Sequence, residues 1–172
     1  MKSAELLIDG LVRVREVVHD VASGLTAAQL DYRPGPAANS IGWLIWHLTR
    51  VQDDHIAGVG GYDEAWIKDG WADRFGLPSD YTAIGYGQSP EQAAVIKPPS
   101  ADVLIDYHDA VHAQSVSYVS TLTDADLDRI VDERWDPPVT LGVRLISVID
   151  DDAQHAGQAA YLRGLIEASD SA

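Results

Sequence analysis

Asp151 and His155, in the run ISVIDDDAQHAGQ, stand four residues apart, so on a helix they share one face and can reach one ion. Val148, Ala159 and Leu162 fall on the same stripe, which predicts that this face turns toward a packed interior. A carboxylate buried there without a partner is costly, and a cation would meet its need. Asp150 and Asp152 point roughly 100° to either side and read as solvated or supporting groups. His47 sits in IGWLIWHLTRVQDDHIAG, among Trp43, Leu44, Trp46 and Leu48. Asp54 falls close to its face, whereas His55 is turned about 80° away. One His with one Asp–x3–His makes a three-ligand set that leaves positions for water or substrate, the usual form of a catalytic divalent site. His108 and His112 offer a second answer, an HxxxH pair that by spacing alone is the better one. Spacing leaves both sets open. His19 lies at the end of the first helix, where a protonated imidazole suits the dipole. No general base stands out beside either set, so no catalytic residue is assigned beyond the metal ligands.

The rest of the composition narrows the chemistry. The chain has 172 residues, enough for one domain spanning 1–172. Its 27 acids against 12 bases give a net charge of −15, which repels phosphate backbones and anionic lipid and so disfavours nucleic acid and membrane partners. There is no cysteine, which excludes disulfides, thiolate metal sites and cysteine nucleophiles. Any thiol chemistry must use a thiol brought in from outside. The N-terminal run MKSAELLIDGLVRVREVVHD carries charges throughout, so it reads as neither signal peptide nor membrane span, and the expected location is the cytoplasm.

Four long segments must position these side chains. The apolar stripe Leu6, Ile8, Val12, Val14, Val17, Val18 and Val21 predicts a helix over 3–22, stopped by Gly24. Thr26 with Gln29 predicts a capping box, and the Pro-Gly-Pro at 34–36 a break. Asn39 and Ser40 can cap a second helix to about Ala57, ended by the glycines at 58–61. Residues 62–99 read as a long, partly helical connection whose Trp66, Trp71 and Tyr81 are placed to line the mouth of a site. A third helix is expected from about 100 to 121 and a fourth from 141 to 168, with a frayed tail. Between them Thr123 caps a short segment, and DERWDPPVTLG reads as a hairpin or extended link. Trp43 and Trp46 read as core, and Arg163 as a solvated helix-end arginine. The whole predicts an all-α, up-down four-helix bundle with a long irregular connection between helices 2 and 3.

The run LTAAQLDYRPGPAANSIGWLIWHLTRVQDDHIAG, followed much later by IDDDAQHAGQAAYLRGLIE, resembles the DinB/YfiT-like superfamily, in particular its branch of actinobacterial mycothiol S-transferases. The resemblance spans nearly the whole chain. It implies a four-helix bundle, often dimeric, with one His ligand on the second helix and an HxxxH pair on the fourth, which here fall at His47, Asp151 and His155. Asp151 stands where the commoner pattern has His, as in that branch. The implied cofactor is a divalent metal, Zn²⁺ or else Ni²⁺ or Mn²⁺, with mycothiol as co-substrate. The implied function is transfer of that thiol to an electrophilic small molecule, a detoxification reaction. The alternative is a non-catalytic metal- or ligand-binding bundle of the stress response.

Overall fold

The computed structural model of the protein describes residues 1–170. Helix α1, Ser3–Ala22, buries Leu7, Leu11, Val14, Val18 and Val21 at alternating steps of four and three. The single turn α2, Ala27–Leu30, carries the expected box: Thr26 Oγ1 accepts from Gln29 N at 3.3 Å, and Gln29 Oε1 accepts from Thr26 N at 3.0 Å. Helix α3, Ile41–Gly60, begins at Ser40, whose Oγ accepts from Trp43 N at 3.1 Å. It runs three residues past the expected Ala57, because the left-handed backbone that closes it is reached only at Gly61, φ 72°.

The connection that follows holds three short turns: α4, Ala65–Lys68; α5, Trp71–Arg74; and α6, Pro90–Ala93. Helix α7, Ala101–Val119, is capped by Ser100. A 3₁₀ turn at Asp126–Asp128 leads to an antiparallel pair, β1, Ile130–Asp132, with β2, Val139–Thr140, the hairpin expected around the two prolines. Helix α8, Leu141–Asp170, then crosses the whole molecule, so the chain is helical past Ala168, where fraying is expected. The last part of that tail, 171–172, lies outside the described residues. No helix among the described residues is long and apolar enough to cross a membrane.

Helices α1, α3, α7 and α8 form the four-helix bundle. Neighbours around the square are α1–α7, α7–α3, α3–α8 and α8–α1. Thr49 meets His108, Gln52 meets Ser115 and Val59 meets Tyr118, so α3 and α7 run parallel. The long connection makes this possible by returning the chain to the end where α3 began, so α7 repeats the direction of α3 and the helices depart here from the expected up-down order. Against α8 the order reverses: His47 lies by His155, and His55 by Arg144. These two helices are therefore antiparallel.

The interior is apolar at both ends. One end packs Leu7, Leu11, Ile56, Val119, Leu141 and Leu145, and the other gathers Trp46, Trp66, Phe75, Leu104 and Tyr107. Buried polar groups also enter the bundle: Thr49, Gln52, His108, Ser115 and Asp152. Asp152 corrects the expectation of a solvated or supporting group. The buried stripe of α8 is Leu145, Val148, Asp152, Ala156, Ala159 and Leu162, so its core axis passes through Asp152. Asp151 and His155 lie on the flank that faces α3. Neither Asp152 oxygen has a partner among the described residues, and burial pushes this carboxyl well above its ordinary range.

His108 is enclosed as well. Its Nδ1 lies 3.1 Å from Thr49 Oγ1, whose own proton goes to Ile45 O, so Nδ1 donates, while Nε2 is buried with no partner among the described residues and a proton there would be costly. Burial pushes its pKa down to about 3. The unfolded chain takes up a proton here below its ordinary pKa near 6.5, whereas the folded chain does not until about 3. Stability is thus present above 6.5 and is lost as the pH falls toward 3, by an amount on the order of 3–5 kcal/mol. Urea denaturation of wild type and His108→Gln across this window should show a visibly shallower acid slope in the variant. Parallel slopes would contradict the assignment.

Candidate metal centre

Three side chains from two antiparallel helices converge on the α3–α8 seam. One donor atom each from His47, Asp151 and His155 lies within 4.8 Å of the others. His155 Nε2 is 3.7 Å from Asp151 Oδ1, and the His47 and His155 rings meet edge to face at 4.8 Å. Each imidazole is held from behind. His47 Nδ1 lies 2.5 Å from Ile84 O, which fixes the proton there and leaves Nε2 free. His155 Nδ1 lies 2.9 Å from Gln158 Oε1, an acceptor that likewise directs Nε2 toward Asp151. Such supporting partners orient metal-ligating imidazoles.

The electrostatics match. His47 is 5% exposed, and burial is the main cause lowering its pKa, which keeps the ring in the neutral form a ligand requires. Asp151 Oδ2 is buried with no hydrogen-bond partner among the described residues. Two imidazoles, each held through Nδ1, with one carboxylate whose buried Oδ2 has no partner among the described residues fit a divalent ion such as Zn²⁺. Donors bound at about 2.1 Å in a tetrahedron stand roughly 3.4 Å apart, so modest side-chain closure would complete the set.

The loop over this site is built by α3 itself. Arg50 is 1% exposed and donates to Thr82 O and Ala83 O, both at 3.3 Å, to Glu64 Oε2 at 2.7 Å and to Tyr107 Oη at 3.4 Å. Asp53 accepts from Ala65 N and Trp66 N at 2.9 and 2.8 Å and from Tyr107 Oη at 2.9 Å. These bonds place residues 82–84 so that the Ile84 carbonyl meets His47. Gly85, φ 97°, then turns the chain away, and a Cβ there would lie 2.5 Å from His47 Nδ1 and 3.1 Å from Trp43. Only glycine permits so close an approach.

The aromatic residues divide differently from the expectation. Trp46 is core, but Trp43 stacks on His47 at 4.5 Å and donates from Nε1 to Gln88, so it forms a wall of the site. Trp66 and Trp71 are buried against Tyr107 and do not line the mouth. Tyr81 packs half-buried on the same core. The residue of the connection that reaches the opening is Tyr86, 86% exposed. It joins Val51, His55, Arg144, Val148 and Asp151 around a cleft of about 180 Å³. Arg144 is held there by Asp132 at 3.1 Å. An apolar groove of about 590 Å³, with Leu44, Gln154, Gln158 and Tyr161 on its walls, runs alongside the His155 segment of α8. A further cavity of about 660 Å³ lies by Tyr62, Lys68 and Tyr118 and touches none of the three ligand candidates.

The remaining candidates lie elsewhere. His108 and His112 have ring centroids 6.3 Å apart, and no acidic residue or third His completes a ligand group with them among the described residues. His19 Nε2 meets Asp109 Oδ1 at 2.8 Å, alongside Arg15. Arg163 is half-buried and not free in solvent as expected, because its Nη1 donates to the carbonyls of Asp20, Val21 and Ser23 at the C-terminal end of α1. Helical angles measured from His47 made His55 look remote. The packing of α8 sets the cleft to one side of His47, and His55 lines it.

The comparisons with known proteins agree with this architecture. A crystal structure of a conserved protein from Enterococcus faecalis is similar over 98% of this chain and 99% of that one, at 34% identity and a TM-score of 0.89. Comparison with curated proteins finds no match. The model of one family, mycothiol S-transferase, matches residues 6–168. On that match the chain belongs to the mycothiol S-transferase family.

Proposed function

We propose that this protein is a divalent-metal-dependent S-transferase that joins a low-molecular-weight thiol, mycothiol, to an electrophilic small molecule. The observation that carries the reading is the convergence of His47, Asp151 and His155, with a buried carboxylate oxygen that has no other partner. A divalent ion there, Zn²⁺ first and Ni²⁺ or Mn²⁺ as alternatives, would lower the pKa of a thiol from its ordinary value near 8.5 and screen developing charge.

The chain's own residues do the rest. Asp151 supplies the one anionic ligand beside two imidazoles, so the site is suited to a dication and an incoming anionic sulfur. Ile84 and Gln158 hold the rings, which removes reorganisation from the reacting geometry. Trp43 closes one side against water, and the cleft at Asp151 is the route of entry. The absence of cysteine agrees with a thiol supplied from outside. We place this activity in the cytoplasm, in one domain over 1–172, with pairing of two chains as the family implies.

The test is thiol transfer from mycothiol to monochlorobimane by purified protein, with and without chelator. Turnover that chelator abolishes and added Zn²⁺ restores is the expected result. Stoichiometric metal without turnover would replace this reading by the non-catalytic binder.

A further inference from the structure

We propose that His55, oriented by Asp54, is the proton acceptor of the transfer reaction. The inference rests on the thiol-transfer reading and adds to it a residue that the ligand set does not include. His55 and Asp151 line the same cleft of about 180 Å³, room for a few heavy atoms. The Cα–Cβ bonds of a helix tilt toward its N-terminus. Because α3 and α8 are antiparallel, His55 and Asp151 lean toward each other from opposite walls. A group entering between them meets a ligand of the metal centre on one side and an imidazole on the other.

The imidazole is also prepared. His55 Nδ1 lies 3.2 Å from Asp54 Oδ2, so the ring proton sits on the Asp54 side and the Nε2 lone pair remains for the cleft. Contact with His55 holds the Asp54 carboxyl below its ordinary range, so it stays an anion beside the ring. The other charged or titratable groups facing His55 are Asp151 and Arg144 from α8 and Tyr86 from the connection. Arg144 is already paired with Asp132.

In the step, the thiol S–H bond breaks and its proton passes to His55 Nε2. The sulfur pair forms the new S–C bond, and the leaving group departs with the pair of the bond it loses. His55 then returns the proton to that leaving group, or to solvent, and the ring is neutral for the next turnover. Proton transfer by a positioned group contributes roughly 10²–10⁴-fold in rate.

The experiment combines kinetics, metal analysis and NMR on the zinc-loaded protein. His55→Gln should keep its metal yet lose about 10²-fold in kcat/KM, together with the fall in rate toward acid pH. Asp54→Asn should move that fall to lower pH while keeping most activity at alkaline pH. Long-range ¹H–¹⁵N spectra should show His55 protonated at Nδ1 and shifting when N-acetylcysteine is added. A His55→Gln variant with wild-type rate and pH profile would overturn the proposal, as would a ring protonated at Nε2. If wild type transfers no thiol at all, the S-transferase reading falls first, and the spectra alone then decide whether His55 meets a thiol.

Discussion

His155→Ala is expected to lose its metal while keeping its fold. The variant removes one of three converging donors, so its affinity for Zn²⁺ should fall by more than the roughly 10–100-fold that loss of a supporting partner costs. Thiol transfer should fall with it. The helices should not notice. The buried stripe of α8 runs through Leu145, Val148, Ala156, Ala159 and Leu162, and His155 is only a partly buried neighbour of it. Alanine is also the better helix former. Metal analysis by mass spectrometry and circular dichroism of the same preparation separate the two effects. Full metal occupancy in His155→Ala would end the assignment. Loss of metal in His108→Ala alone would transfer it to the pair on α7.

Arg50→Met should be the most damaging single change away from the ligands. The guanidinium is 1% exposed, with Glu64 at 2.7 Å, Asp53 at 3.5 Å and the Trp66 ring 5.0 Å away. Its removal leaves the buried Asp53 carboxylate without its cation, which typically costs about 3–5 kcal/mol. Methionine roughly keeps the volume, so the loss is mainly electrostatic and of hydrogen bonds. The same change frees the carbonyls of Thr82 and Ala83 and so loosens the Ile84 contact that orients His47. Metal affinity should therefore fall by about 10–100-fold even under conditions where the variant is fully folded. Urea midpoints and a zinc titration check the two parts. A folded variant with unchanged zinc affinity would show that the loop holds its place without Arg50.

The helices and their ends were legible in the chain alone because their causes are local. The apolar run of the first helix with Val14, Val18 and Val21, the box at Thr26 and Gln29, and the Ser40 cap each act within a few residues, although the buried face of that helix runs on through Leu7 and Leu11 and leaves the expected Leu6 exposed. The candidate set His47, Asp151 and His155 came partly from one helical turn and partly from family likeness. What one helix could not reveal was which side of it faces which partner. Asp152 looked like a flanking group until α8 packed with it on the core axis. Trp66 and Trp71 looked like the rim of a site until the Arg50–Asp53 network drew the connection inward over Tyr107. His55 looked misdirected when its angle was taken from His47 alone. Burial, the orientation of the imidazoles and the cleft depend on groups up to about a hundred residues apart in the chain, and only helix packing brings them together.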